Sequence, residues 1–209
     1  SPDEKKTIAI HESGHATVSW MLKHASPLVK VTIVPRGKSL GAAWYLPEER
    51  HITTTEQLMD EMAALLGGRA AEEVLIGKVS TGALNDLERA TKQAYAMVVY
   101  YGVSKLGNLS YYDSSDEREY SFSKTNREKT AEEIDREVHN IIDEAYQTAK
   151  KILSENKDKL TQLAKQLQEK EVIFTEDMEK IYGKRAFEIE NIEQPKEDKT
   201  TENSENITA

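Results

Sequence analysis

Residues 7–18 of the chain read TIAIHESGHATV, so two histidines and a glutamate stand among small and apolar residues. Apolar residues around this stretch recur at helical spacing, and Pro2 and Asp3 are typical of a first helical turn. We therefore predict a helix over residues 3–24. Positions four apart share one helix face, so we expect His11 and His15 side by side, with Glu12 turned about 100° from His11.

Two imidazoles placed in this way can bind one metal ion. Zinc accepts neutral imidazole, and catalytic zinc sites combine three protein ligands with an open position for water. We expect Glu12 beside His11 and His15 but off the metal, where its carboxylate can take a proton from the attacking water. The spacing predicts a zinc-dependent peptidase site with Glu12 as its general base.

The alternative interpretation is that these are ordinary surface residues. The residues around them are small or apolar, which indicates a buried or cleft-lining face. Burying two histidines and a glutamate without partners would cost several kcal/mol, and a bound metal removes that cost. On the same helix, we interpret Gly14 as an opening for a substrate backbone.

The first β element is predicted directly after this helix. Residues 29–34 alternate and are rich in β-branched side chains, which is typical of a strand. Residues 35–38 form a turn, and residues 40–46 form a second strand that Pro47 ends. The pattern therefore predicts one hairpin.

The rest of the chain is predominantly helical in pattern. We predict a capping box at Thr53 and Glu56, a helix interrupted by closely packed Gly67-Gly68, and a surface loop over residues 103–127. Helices are predicted over 53–76, 84–101, 129–155, 158–170 and 176–182. The expected fold class is mainly α with a small β-hairpin element. Residues 1–187 form one metallopeptidase domain, and the acidic, apolar-poor residues 188–209 form a disordered tail.

Composition narrows the classes of function. The 209-residue chain has a formal net charge of −9 and no cysteine. Disulfides and thiolate metal sites are thereby excluded, and an acidic chain without a basic block argues against nucleic-acid binding. No apolar run approaches the roughly 20 residues that span a bilayer, so we expect a soluble chain. Its abrupt start suggests a fragment of a longer protein.

A third protein ligand is expected downstream, because catalytic zinc sites have three. Glu72 and Glu73 stand on a helix beside Gly67-Gly68, and Asp86 stands in the first turn of another helix, where the helix dipole also favours an acid. Three histidines qualify by type but lie in surface patterns: His24, His51 and His139. Spacing and burial arguments leave Asp86 and Glu73 as equal candidates.

Six sequence blocks occur in a characteristic order: His11–Ala16, Val34–Gly41, Leu46–Glu49, Leu66–Glu73, Ser80–Leu87 and Leu106-Gly107. With them the chain resembles, from about Lys5 to Tyr182, the peptidase domain of the FtsH family of membrane-anchored AAA+ zinc proteases. The resemblance implies one Zn²⁺ per chain, with Asp86 as the third ligand beside His11 and His15, and Glu12 as the base. It makes Glu73 a structural residue or one that orients a histidine.

The resemblance also implies a setting. The family assembles as a hexamer beneath an AAA+ ring that unfolds and threads polypeptides with ATP. We therefore expect a homohexameric endopeptidase of unfolded or membrane proteins, acting in protein quality control at the cytoplasmic face of a bacterial inner membrane. This chain contains no phosphate-binding motif, so ATP with Mg²⁺ and the membrane anchor are expected on a missing N-terminal part.

Two further interpretations stay open. The hairpin can hold an extended substrate at its edge, where Gly41, Ala42 and Ala43 have little side-chain bulk, or it can simply cover the active helix. The rival class of function is a non-catalytic assembly module. In that case the helices over residues 129–170 form an oligomer interface, and the metal is structural or absent.

Overall fold

The computed structural model describes residues 1–37, 39–46, 50–111 and 124–187 of the chain. Residues 112–123 of the predicted 103–127 loop lie outside these ranges, as do the predicted tail at 188–209, Lys38 of the predicted turn and Pro47, the predicted strand end. The described residues form six α-helices, three strands and one 3₁₀ turn. In chain order they are α1 (Pro2–Met21), β1 (Leu28–Thr32), β2 (Ala42–Tyr45), α2 (Thr55–Ile76), the 3₁₀ turn (Thr81–Ala83), α3 (Leu84–Val99), α4 (Lys124–Glu155), α5 (Lys157–Lys170), β3 (Val172–Phe174) and α6 (Thr175–Tyr182).

The ends of α1 and α2 follow from local capping chemistry. A capping box between Ser1 and Glu4 begins α1, and the chain turns extended at Leu22, so the helix ends before the predicted residue 24. The box of α2 joins Thr54 and Gln57, one position later than predicted. Gly77 ends α2 in the left-handed conformation that favours glycine.

Helices α1 and α2 cross at a contact made by glycines. A Cβ at Gly14 would overlap the Gly67 carbonyl oxygen and lie 2.5 Å from Ala71 Cβ, and a Cβ at Gly67 would lie 2.8 Å from the Gly14 oxygen. The predicted close packing at Gly67-Gly68 is confirmed, but the glycines do not interrupt α2. The interpretation of Gly14 as an opening for substrate is wrong, because the backbone of α2 fills that space.

The sheet contains one strand more than predicted. Its order is β2-β1-β3, with Val31 of β1 opposite Ala43 of β2 on one side and opposite Ile173 of β3 on the other. The predicted hairpin is confirmed, although both strands are shorter than expected. Strand β3 has three residues between two helices, too few to show an alternating pattern. Strand β2 is left at an edge of the sheet.

Two apolar clusters surround α1. One joins α1 to α2, α3 and α4 through buried residues such as Leu66, Met97 and Leu153. The other lies between α1, the sheet and α5, around Trp20, Val31 and Leu163. The mainly helical fold class is therefore confirmed, and the polar middle of α1 is held between two cores. Within the described ranges, no helix is long and apolar enough to cross a membrane.

Candidate metal centre

His11 and His15 of α1 direct their outer ring nitrogens toward one carboxylate. Nε2 of His11 lies 3.2 Å from Asp86 Oδ2, and Nε2 of His15 lies 3.3 Å from the same oxygen. The two rings meet edge to face, with centroids 4.8 Å apart. Two helices, α1 and α3, thus bring together the His11, His15 and Asp86 named from the sequence.

The inner ring nitrogens are held by acceptors on α2. Nδ1 of His11 lies 2.7 Å from Glu72 Oε1, and Nδ1 of His15 lies 2.9 Å from the Ala64 carbonyl oxygen. A carbonyl can only accept, so His15 donates through Nδ1 and keeps the lone pair of Nε2 directed at Asp86. Acceptors of this kind fix the tautomer and orientation of metal-binding histidines.

The donor set fits zinc. One carboxylate oxygen and two imidazole nitrogens lie within 4.8 Å of one another, and they match the three protein ligands of a catalytic zinc site. When both imidazoles are neutral, as metal ligands are, with their protons on Nδ1, the converging atoms of His11, His15 and Asp86 are all acceptors. Three converging acceptors require a cation, and a metal ion satisfies all of them at once.

The electrostatics of the site also favour a positive charge. Burial lowers the pKa of His11, but its contacts with Asp86 and Glu72 outweigh this effect and raise the pKa to about 9. Burial acts to raise the pKa of Asp86, yet the contacts with both histidines hold it far below its ordinary value. Asp86 is therefore ionised at neutral pH, as a metal ligand must be.

A clamp between Glu72 and Ser80 joins the two ligand-bearing regions. The backbone N–H of Ser80 donates to Glu72 Oε2 at 2.6 Å, and the Ser80 hydroxyl donates to Oε1 at 3.0 Å. The hydroxyl oxygen also accepts from the Gly82 N–H at 3.1 Å and so caps the 3₁₀ turn that leads into α3. One buried carboxylate therefore orients His11 and holds the start of the helix that carries Asp86.

Glu73 does not contact a histidine. Its carboxylate accepts hydrogen bonds from the Tyr146 hydroxyl and from Lys150 Nζ, the latter at 2.9 Å, and so joins α2 to α4. The orienting role considered for Glu73 belongs to Glu72. The position of Gly68 distinguishes Glu72 from Glu73. A Cβ at Gly68 would overlap the His11 ring, and Glu72, four positions later, lies on the same face of α2 as Gly68.

Glu12 lies on the same helix as His11 and His15, beneath the segment that leads into β2. It is buried, and burial raises its pKa although the nearby histidines act in the opposite direction. Its Oε1 would be 2.7 Å from a Cβ placed on Gly41, so the glycine lets the chain before β2 pass directly over the carboxylate. This position suits a residue that accepts a proton beside the metal.

The other three histidines lie away from this centre. His51 and His139 are exposed, and His24 follows the end of α1, where its backbone N–H donates to Asp60 at 3.0 Å. In the described part of the chain, only His11, His15 and Asp86 form a group able to hold a metal. Sequence reasoning missed Ser80, the Ala64 carbonyl and Tyr45, which have no motif spacing of their own.

A cleft of about 1090 Å³ opens over the centre. Its lining includes the three converging side chains and Glu12, the segment Gly41, Ala42 and Ala43, and residues of α3. Ala42 and Ala43 belong to the edge strand, so an extended chain can reach both the strand and the metal-binding atoms.

Comparison with known proteins agrees with this geometry. The family model described as peptidase family M41 matches residues 1–181. An ATP-dependent zinc metalloprotease FtsH of Parabacteroides distasonis is 61% identical over 209 residues, which cover 97% of this chain and 30% of the relative. The mitochondrial FTSH 3 zinc metalloprotease of Arabidopsis thaliana is 51% identical over 186 residues, covering 88% and 23%.

A third relative is the mitochondrial inner membrane m-AAA protease component AFG3L2 of Mus musculus, 45% identical over 187 residues that cover 89% of this chain and 23% of the relative. The chain thus spans less than a third of the length of these relatives. The family match, in contrast, covers most of the chain and includes all the residues of the centre. The chain belongs to peptidase family M41, the family of the FtsH peptidase domain.

Proposed function

We propose that the chain is a zinc endopeptidase in which His11, His15 and Asp86 hold the metal and Glu12 is the general base. The observation that carries this proposal is the convergence of two Nε2 atoms on Asp86 Oδ2 at 3.2 and 3.3 Å, with both Nδ1 atoms bonded to acceptors. Zinc in such a site activates a carbonyl and a water molecule for hydrolysis.

Glu12 performs the proton transfers in this proposal. Its carboxylate takes a proton from the attacking water and returns it to the amine that leaves when the peptide bond breaks. Burial beside the sheet supports this role, because a raised pKa brings a carboxylate closer to the working pH. Glu72 holds the His11 ring in its orientation through the bond to Nδ1.

The substrate is proposed to lie along β2. An extended peptide can add to the open edge of this strand through main-chain hydrogen bonds, with Gly41, Ala42 and Ala43 leaving room for side chains of different size. Recognition through the main chain is weakly selective and suits degradation of unfolded polypeptides. The edge position of β2 and its place in the cleft wall support this role.

The wider setting is proposed from the relatives, of which this chain spans less than a third. The Parabacteroides relative is named an ATP-dependent zinc metalloprotease, and the mouse relative is named a component of the mitochondrial inner membrane m-AAA protease. We propose that this chain cuts unfolded or membrane proteins delivered by an ATP-driven module, within a homohexamer anchored at the cytoplasmic face of a bacterial inner membrane.

Glu12→Gln tests the peptidase proposal. We expect this variant to bind zinc like the parent chain and to lose casein hydrolysis by at least about 100-fold, the range typical of a general base. Zinc content is measured by atomic absorption and cleavage by peptide release, with chelation of the parent chain as a second control. Full casein hydrolysis by Glu12→Gln would overturn the assignment of Glu12.

A further inference from the structure

The cleft wall formed by α3 carries one cationic side chain. Asp86, Arg89 and Gln93 stand three and four positions apart, so they share a helix face, and all three line the cleft. Among the described residues that line it, Arg89 is the only lysine or arginine. One helical turn beyond Asp86, a fixed positive charge therefore faces the space where a substrate lies.

Arg89 has no partner within the described part of the chain. Its guanidinium forms no ion pair or hydrogen bond there, and the residue is exposed. Other charged groups nearby are engaged: Glu61 pairs with Arg50 at 3.2 Å, and Lys92, an exposed residue of α3 that does not line the cleft, pairs with Glu88 at 2.6 Å. Gln93 is also held, because its amide donates to the Leu58 carbonyl at 2.8 Å. Arg89 thus keeps its donors available to a ligand.

Tyr45 supplies a second donor to the same cleft. It ends the edge strand β2 and lines the cleft, and the Glu12, Asp86 and Arg89 charges all act on its hydroxyl. Burial, aided by the two carboxylates, raises the pKa of this hydroxyl, with Arg89 opposing. The Tyr45 hydroxyl therefore stays protonated and can donate a hydrogen bond.

A guanidinium and a phenolic hydroxyl that face one space both donate, and a carboxylate accepts from both. We infer that Arg89 and Tyr45 form a carboxylate-binding subsite, so that the peptidase favours substrates with a carboxylate close to the bond it cuts. This inference rests on the proposed peptidase function. Arg89 stands about one helical turn, roughly 5.4 Å, beyond Asp86, and an extended chain advances roughly 3.3 Å per residue, so the carboxylate belongs to a residue within about three positions of that bond.

The carboxylate can come from an acidic side chain or from the C-terminus of a peptide. Two series of internally quenched peptides, based on one neutral sequence, separate these sources. In the first series the C-terminus is amidated, and Glu replaces Gln at each position around the cut in turn. In the second series the neutral peptide is compared with a free and with an amidated C-terminus. Cleavage by the zinc-loaded chain is followed by fluorescence, and mass spectrometry locates the cut.

If an acidic side chain is bound, we expect kcat/KM to be about 3- to 10-fold higher for Glu than for Gln at one position. If the C-terminus is bound, we expect the same ratio between the free and the amidated peptide. This ratio is the size of one charge-assisted contact near solvent. Arg89→Gln should bring this ratio to about one, Tyr45→Phe should reduce it, and added salt should weaken it. Lys92→Gln removes another exposed cation of the same helix, one that does not line the cleft, so it is the matched control and should keep the ratio.

Two results would overturn the subsite: equal cleavage of all these peptides by the parent chain, or an unchanged ratio in Arg89→Gln. A failure of the underlying peptidase proposal looks different. In that case the zinc-loaded parent chain cuts none of the peptides, whatever their charge.

Discussion

At the scale of single residues, the choice of the third ligand depends on direction as much as on position. The sequence offers three carboxylates as candidates for the third ligand: Glu72, Glu73 and Asp86. Only Asp86 directs an oxygen at both Nε2 atoms, whereas Glu72 bonds to the back of His11 and Glu73 points toward α4. Three carboxylates therefore have three different tasks.

The first prediction concerns Asp86 and Glu73. Asp86→Asn removes the anionic ligand and should lower zinc affinity by at least about 100-fold, because a neutral amide oxygen is a poor ligand for zinc. Glu73→Gln should leave zinc affinity unchanged and affect only the α2–α4 contact. Competition with a chromophoric chelator measures both variants. Zinc affinity equal to that of the parent chain in Asp86→Asn would return the ligand role to another carboxylate.

The candidate metal ligands could be predicted from the sequence more completely than the groups that hold them in place. His11, Glu12 and His15 are four or fewer positions apart on one helix, so helical geometry alone relates them. Asp86 lies on another helix, and only resemblance separated it from Glu73. Ser80 and the Ala64 carbonyl could not be predicted, because their roles depend on how α2 is placed against α1, and a backbone carbonyl has no sequence signature.

At the scale of elements, helix existence was more predictable than helix packing. The main helices were expected from their apolar patterns, while β3 was missed because three residues contain no period. Gly14 shows the limit most clearly. From α1 alone it suggested free space, and only the approach of Gly67 from α2 explains why a glycine is required there.

The clamp between α2 and the turn before α3 leads to a prediction at this scale. Ser80→Ala removes the 3.0 Å hydroxyl bond to Glu72 and the cap accepted from Gly82 but keeps the backbone bond. Loss of a direct partner of a metal ligand costs about 10- to 100-fold in metal affinity. Ser80 acts one contact farther out, through Glu72, so we expect zinc binding to weaken by about tenfold at most.

Two variants test whether this effect belongs to the Ser80 hydroxyl. Ser80→Thr keeps a hydroxyl and should bind zinc close to the level of the parent chain, and Thr81→Ala changes an exposed neighbour in the same turn and should have no effect. The visible spectrum of the cobalt-substituted chain reports whether ligand geometry changes with affinity. The clamp has no role in metal binding if Ser80→Ala matches the parent chain in both measurements.

At the scale of the whole molecule, the candidate centre connects α1 and α3, two helices with few other direct contacts. Helix α1 packs between two apolar clusters, and α3 reaches it mainly through α2 and α4. The side chains of His11 and His15 on α1 contact Asp86 on α3, although the two helices otherwise make few direct contacts. An ion held there connects the two helices directly.

Zinc removal should therefore lower the free energy of unfolding of the whole chain. A ligand that binds only the folded state stabilises it by about 2.7 kcal/mol at a free concentration of 100 times its Kd. We expect chelation to lower the thermal midpoint of the parent chain and of Glu12→Gln equally, because Glu12 is not a ligand. Asp86→Asn should melt at nearly the same temperature with and without chelator. Scanning calorimetry with buffered zinc measures all three, and an equal zinc-dependent shift in Asp86→Asn would mean that the ion stabilises the fold from some other site.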